Sequence, residues 1–259
     1  MKRTSLDQWI NDKHGIATDD RQAMEAYQLA RINTLIEYAK FHSPFYRRLY
    51  EECGAPESLD AFSLFPMIDA HDLVRHGSSM LCVKQSEISR IVTFEFPSQG
   101  DPVELTTLQT SGTVESPKRV YFTREDIELT LDFFENGMKT LCRPEDHALI
   151  LFPAKTPDSV GALLSEALGR LGLTVHCEDG EKAVALLRDR SVDVVCGPRS
   201  SLLAVSKQTK GIPIRAVLSS SESLSADDRN MLESAWNCDV FDHYGMTETG
   251  LGGAVECEA

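Results

Sequence analysis

The chain contains no apolar run near the ~18 residues that a membrane-spanning helix requires, so a helical membrane protein is not expected. Basic residues are scarce: 26 Lys and Arg stand against 40 Asp and Glu in 259 residues, a formal charge of −14 with His neutral. That balance argues against nucleic-acid or anionic-membrane partners, whose affinity comes from clustered cations. No C-x-x-C pair occurs, and the seven cysteines, at 53, 82, 142, 177, 196, 238 and 257, are odd in number and scattered. A disulfide framework is therefore excluded, and reduced thiols in a cytoplasmic protein are expected. The first residues, Met1–Asp7, carry Lys2 and Arg3 but no apolar segment behind them, so no secretory signal is expected. Repeats and low-complexity stretches are also missing. What remains is globular composition, 42% hydrophobic and 25% charged.

Two kinds of pattern follow one another along the chain. Residues 1–90 read mainly as helix. Asp19–Phe41 places Leu29, Ile32, Leu35, Ile36 and Ala39 on one face, with Ser43–Pro44 as the stop. Pro44–Cys53 and Asp69–His76 read as short helices closed by Gly54 and Gly77. Ile91–Phe96 and Val103–Gln109 alternate as strands. From His147 onward strand and helix alternate regularly. The strands are His147–Phe152, Leu173–Cys177, Val192–Cys196, Pro213–Ser219 and Cys238–Asp242. The helices are Ser159–Leu171, Glu181–Arg190, Arg199–Thr209 and Ala226–Trp236, the last with Ser225 and Asp228 as a capping-box-like pair. The expectation is an α/β fold of mostly parallel strand–helix layers with a helical N-terminal segment. Its division is a helical segment 1–90 packed on an α/β core 91–259. Ligands of such sheets sit at the carboxyl ends of strands, which directs attention to the loops after Gln109, Ser219 and Asp242.

Each of these loops has a chemistry. Gln109–Arg119 packs Thr110, Ser111, Gly112 and Thr113 ahead of Pro117, Lys118 and Arg119, offering hydroxyls, backbone N–H groups and positive charge to an anion. It is not a Walker A loop, because no G-K-[ST] is present and a strand, Val120–Phe122, follows; an ordinary polar hairpin turn is the alternative. Ser219–Ser223 is a run of small hydroxyl residues that suits close approach to a flat heterocycle, and equally suits helix capping. Asp242–Gly250 brings a ring, a hydroxyl and a carboxylate into one turn. A ring stacks on a base, a hydroxyl donates to a phosphate oxygen and a carboxylate holds Mg²⁺; the alternative is a Gly-rich bend with Tyr244 packed into the core.

In their order the three loops resemble the signatures of the adenylate-forming, AMP-binding superfamily. These are a Ser/Thr/Gly-rich loop ending in Pro117–Lys118, an adenine loop at Ser220–Glu222, and Tyr244–Gly245–Met246–Thr247–Glu248. Ser43–Pro44–Phe45–Tyr46–Arg47, Leu64–Phe65–Pro66, Asp72–Leu73 and Glu256–Cys257 are similar to its phenylacetate–coenzyme A ligase branch. The resemblance implies the large N-terminal domain of an ATP-dependent, AMP-forming acid–thiol ligase. Its substrate would be a phenylacetate-like or other hydrophobic acid, with ATP, Mg²⁺ and coenzyme A as cofactors and an acyl adenylate as intermediate. It implies that Ser111, Gly112, Thr113 and Lys118 hold the β- and γ-phosphates and that Ser220, Ser221 and Glu222 line the adenine. Tyr244 stacks on the adenine, Thr247 contacts the α-phosphate and Glu248 binds Mg²⁺. Asp242, His243 and Gly245 belong to the same turn, with His243 near the acid. Lys118, Thr247 and Glu248 are thus the expected catalytic set.

Two departures bear on that reading. Val114 and Glu115 stand where the family pattern has Thr and Gly, which removes a hydroxyl and places negative charge beside a polyphosphate. The family's ribose carboxylate, catalytic lysine and small C-terminal domain would come after Ala259, so that domain is expected to be absent here. Acyl transfer to a protein thiol, and a non-catalytic nucleotide- or acyl-binding remnant, are the competing readings. Phe133, Phe134 and Met138 are candidates for a pocket wall and equally for core. A homodimer is left open.

Overall fold

The computed structural model describes residues 5–17, 19–94, 118–157, 159–246 and 249–257. The strand expected at Val103–Gln109 and the loop carrying Ser111, Gly112 and Thr113 lie outside them, as do Thr247 and Glu248. The chain packs as two units, Asp7–Arg124, and Glu125–Ala259 with Met1–Leu6. The sequence divides at 90/91; the packing groups the strands on either side of the undescribed stretch with the helices ahead of them.

The first of these units holds most of α1 (Ser5–His14), then α2 (Arg21–His42), α3 (Pro44–Leu49), α4 (Leu59–Phe62) and α5 (Ala70–His76). Two 3₁₀ turns precede the antiparallel pair β1 (Ile88–Phe94) and β2 (Lys118–Thr123). Local chemistry sets the helix ends. Asp20 caps α2 by accepting from Ala23 N at 2.9 Å, and Asp69 and Asp72 form a reciprocal capping box on α5. Ser43 is wholly buried and serves both neighbours: its N–H closes α2 on Ala39 O, and its Oγ accepts from Tyr46 N and donates to Ser79 O. Two expectations need correction. Leu35 is 64% exposed while Ile36 and Ala39 are buried, because adjacent helical residues point about 100° apart. The helix after Pro44 ends at Leu49, with Tyr50 as its cap, well before Gly54.

The second unit opens with α6 (Arg124–Met138), followed by β3 (His147–Ile150), α7 (Val160–Arg170), β4 (Thr174–Cys177), α8 (Gly180–Asp189) and β5 (Val194–Pro198). It continues through α9 (Arg199–Gln208), β6 (Ala216–Ser220), α10 (Ala226–Trp236), β7 (Asp239–Tyr244) and β8 (Ala254–Val255). Among the described residues the sheet order is β4-β3-β5-β6-β7-β8, parallel except for the antiparallel β8. Ala148–Ile150 and Val194–Cys196 are apolar without alternation and fully buried, as strands covered on both faces must be. Val195 and Val217 meet Leu202, Leu232 and Trp236 from α9 and α10 in the main core, where Trp236 Nε1 donates to Thr209 Oγ1 at 3.0 Å. The expected α/β layering is therefore present. Phe134 and Met138 are buried on α6, in the core; Phe133 is half-buried and turned elsewhere.

Candidate active site

The strand register decides which side chains meet. β6 and β7 run parallel with Ser219 opposite Asp242 and Ser220 opposite His243, so each pair shares a face of the sheet. On one face Ser220 Oγ and His243 Nδ1 are 2.8 Å apart. On the other, the Ser219 hydroxyl is fully buried with no hydrogen-bond partner among the described residues. His243 is largely buried, and burial pulls its imidazole below the usual pKa, so the neutral ring is favoured at pH 7. Its Nε2 is shielded and has no hydrogen-bond partner among the described residues. An unsatisfied buried nitrogen costs on the order of 1–3 kcal/mol.

Past His243 the chain turns back sharply. Gly253 N–H donates to Tyr244 O, Leu251 N–H donates to Met246 O, and Leu251 adopts φ +71. Glycine is needed at two points of close approach. A Cβ on Gly245 would lie 2.4 Å from Leu251 O, and one on Gly252 would lie 2.2 Å from the Phe133 ring. Thr130 Oγ1 donates to Gly250 O at 3.0 Å, so α6 braces the turn from below. The turn leaves Tyr244 65% exposed, which rules out the core packing considered for it.

Asp242 is held by its backbone. Its N–H donates to Glu256 Oε2 at 2.9 Å, its carbonyl accepts from Glu256 N, and Glu256 is in turn paired with Arg229 at 2.6 Å. Burial, reinforced by the Glu256 charge, raises the Asp242 carboxyl above its ordinary pKa. Burial works against ionised Glu256, but Arg229 and the Asp242 N–H outweigh it and hold Glu256 below its usual 4.5. This support is present above about pH 4.5 and is lost as pH falls through the lower folded value. Glu256→Gln should therefore flatten the acid limb of a urea-unfolding series. Because the carboxylate is 45% exposed, the loss at pH 7 should be about 1 kcal/mol or less. An acid limb as steep as in the unaltered protein would refute this assignment.

Glu222 is already occupied. Its oxygens accept from Ser200 N at 2.9 Å and Ser200 Oγ at 2.7 Å, with Arg199 at 3.4 Å, so it caps the start of α9. This is the helix-capping alternative for the second loop, and it ties Glu222 away from a ligand in this structure. Ser221 adopts φ +71 and is exposed, marking the bend that turns β6 toward α10. Ser225 caps α10 through Asp228 N as expected. Asp228 does not reach back to the backbone; its carboxylate takes Ser225 Oγ and Arg199 instead.

Of the expected site residues, the structure therefore assembles Ser220, His243, Tyr244 and Gly245 at the ends of β6 and β7, with Asp242 alongside. Ser221 and Glu222 lead away to the helix caps. Lys118 opens β2, and only its backbone is described. Arg229, Phe133 and Gly252 support the turn without having been singled out for it; Phe133, its ring 6.4 Å from His243, was noted only as a wall or core residue.

The same architecture is found in solved ligase structures. An open conformation of 2-hydroxyisobutyryl-CoA ligase, in complex with 2-HIB-AMP and CoA, superposes with a TM-score of 0.74 at 18% identity over 92% of this chain. The same ligase in its thioesterification state gives 0.74 at 19% identity, again over 92%. The fold is that of the large domain of adenylate-forming enzymes. The chain spans 57% and 52% of those two ligase chains, the part that carries this fold. No family model matches the chain, and no curated protein does. Ser220, His243 and Tyr244 stand at the carboxyl ends of β6 and β7, where ligands of parallel sheets generally bind.

Proposed function

We propose that this chain supplies the nucleotide- and acid-binding part of an ATP-dependent, AMP-forming acid–coenzyme A ligase. The observation that carries the proposal is the exposed Tyr244 ring at the carboxyl end of β7, beside the Ser220–His243 pair. It sits in a fold shared with a ligase solved with an acyl-AMP and CoA. In this reading Tyr244 stacks on adenine, Ser220 and Ser221 lie along it, and Gly245 lets the backbone pass close by. Ser111, Gly112, Thr113 and Lys118 bind the β- and γ-phosphates, and Thr247 binds the α-phosphate. Glu248 is the oxygen donor for Mg²⁺, which would neutralise phosphate charge.

The acid's carboxylate attacks the α-phosphorus, pyrophosphate leaves, and the thiol of coenzyme A displaces AMP from the acyl adenylate. Positioning and charge stabilisation account for most of the catalysis in such phosphoryl chemistry. The half-buried Phe133 beside His243 fits an acid with an apolar body, such as an aryl acid. Seven free cysteines favour a reducing, cytoplasmic setting.

The test is acid-dependent exchange of pyrophosphate into ATP, followed by thioester formation on adding coenzyme A. Tyr244→Ala should weaken AMP and ATP alike, by ~1–3 kcal/mol if base–aromatic stacking has its usual strength. Calorimetric titration with AMP reads this directly. Equal affinity in the two proteins would remove Tyr244 from the adenine site.

A further inference from the structure

The start of α9 and the bend after β6 are joined by one carboxylate. Pro198 occupies the cap position of α9 and has no side-chain acceptor, so the free N–H groups of the first turn need a partner from elsewhere. Glu222 supplies it, accepting from Ser200 N at 2.9 Å and Ser200 Oγ at 2.7 Å. Arg199 adds its Nε at 3.4 Å from Glu222 and is itself steadied through Nη1, 3.2 Å from Asp228 on α10. Strand register brings these groups to the strand ends: β5 runs parallel to β6 with Pro198 opposite Ser220, so Arg199 and Ser200 follow at the level where β6 ends. Between Ser220 and Glu222 stands Ser221, exposed and at φ +71. That left-handed conformation is unfavourable for a residue with a Cβ, so the surroundings must impose it. Leu224, packed on the main core, fixes the far half of the segment, and Glu222 fixes the half that carries Ser221.

We propose that Arg199 and Ser200 are positioning residues for the adenine: by seating Glu222 at the start of α9 they hold Ser221 in its bend, so that the base meets a preformed surface. This rests on the strand ends being the nucleotide-binding site. Without the seat, Ser221 is free to leave the left-handed region, and the backbone that follows Ser220 swings away from the strand end. A ligand then has to order the segment as it binds, and that ordering is subtracted from its affinity. In this arrangement Glu222 serves the nucleotide through the backbone and not through its carboxylate, whose oxygens are already taken. The resemblance that places Glu222 along the adenine is thus met by the residue's position in the chain, while its side chain faces α9.

The experiment titrates AMP into the 259-residue chain by calorimetry and follows amide exchange of the segment 219–225 by mass spectrometry. The Arg199→Met/Ser200→Ala double variant should raise the AMP Kd at least about fivefold, because apparent affinity falls with the fraction of molecules in the competent shape. In the free double variant the segment should exchange faster while the urea midpoint moves little, a pattern that a merely structural role would not give. Arg199→Lys, which keeps a cation beside Glu222, should retain part of the affinity that Arg199→Met loses. Glu222→Gln should weaken AMP in the unaltered background, yet change the Kd of the double variant by less than about twofold, since all three residues act through one contact. Losses that multiply in full would mean that Glu222 touches the nucleotide itself, and would overturn the proposal. A double variant that binds AMP as tightly as the unaltered protein, or more weakly with unchanged exchange, would overturn it too. If the double variant does not fold, Ser200→Ala alone decides by the same two readings. Each of these outcomes leaves the nucleotide site standing, whereas no binding of AMP by the unaltered chain would overturn both readings.

Discussion

Trp236→Ala should destabilise the second unit by about 3–5 kcal/mol, the range for removing a large aromatic from a packed core. Trp236 is 1% exposed at the end of α10 and touches the cluster formed by Leu202, Val217 and Leu232. Its Nε1 also donates to the buried Thr209 Oγ1, which the variant leaves without that partner. Thr209 keeps its own bond to Val205 O, so the polar contribution to the loss is the smaller one. Urea unfolding followed by far-ultraviolet circular dichroism measures the effect, with a lower midpoint and an unchanged slope expected. A loss below about 1 kcal/mol would mean that the core collapses around the gap or that α10 is not fixed by this ring. Because β7 follows α10 directly, nucleotide binding should weaken at temperatures where the native unit is still populated.

Asp146→Ala should cost roughly 2–4 kcal/mol. The Asp146 carboxylate is 10% exposed and pairs with Arg215, while the same Oδ2 accepts from Arg143 N at 2.7 Å. Arg215 reaches Leu141 O at 2.7 Å, so one carboxylate ties the segment before β3 to the start of β6. Removing it leaves a guanidinium that is mostly buried, and breaking such a pair costs more than the pair contributes. The estimate lies below the fully buried range because the Arg215 side chain keeps 28% of its exposure. A double variant, Asp146→Leu with Arg215→Met, should recover much of the loss, since both charges are then gone. Equal destabilisation in single and double variants would show that shape, and not charge, is what Asp146 contributes.

The alternation from His147 onward was legible because buried parallel strands are short apolar runs separated by amphipathic helices. Their limits were less so, since hydrophobicity marks burial and not pairing. Leu151, Phe152 and Val192 are buried yet stand outside β3 and β5. α6 left little trace because its exposed Leu129 breaks the apolar face and its polar Thr130 and Asn136 are buried. β8 is two residues long, too short for any period to show. At the strand ends, the turn at Tyr244 and Gly245 was readable from its glycines, and the pairing of Ser220 with His243 was not. That contact depends on the register of two strands separated by a helix, which no local pattern encodes. Glu222 shows the converse: a carboxylate after a serine run suits an adenine loop, and only the position of Ser200 reveals that it serves α9.

The sheet order has a consequence for biosynthesis. Apart from β5, which returns to the other side of β3, each strand from β4 to β7 is laid beside the one made before it. From β5 onward the sheet thus grows in one direction as the polypeptide leaves the ribosome, at roughly 5–20 residues per second. Once β6 has been made, its outer edge waits unpaired while α10 is still being translated, and an uncovered strand edge is a template for aggregation. β7 closes that edge and, in the same stroke, delivers His243 and Tyr244. Lesions in β7 should accordingly lower the yield of soluble nascent protein as well as its affinity for nucleotide.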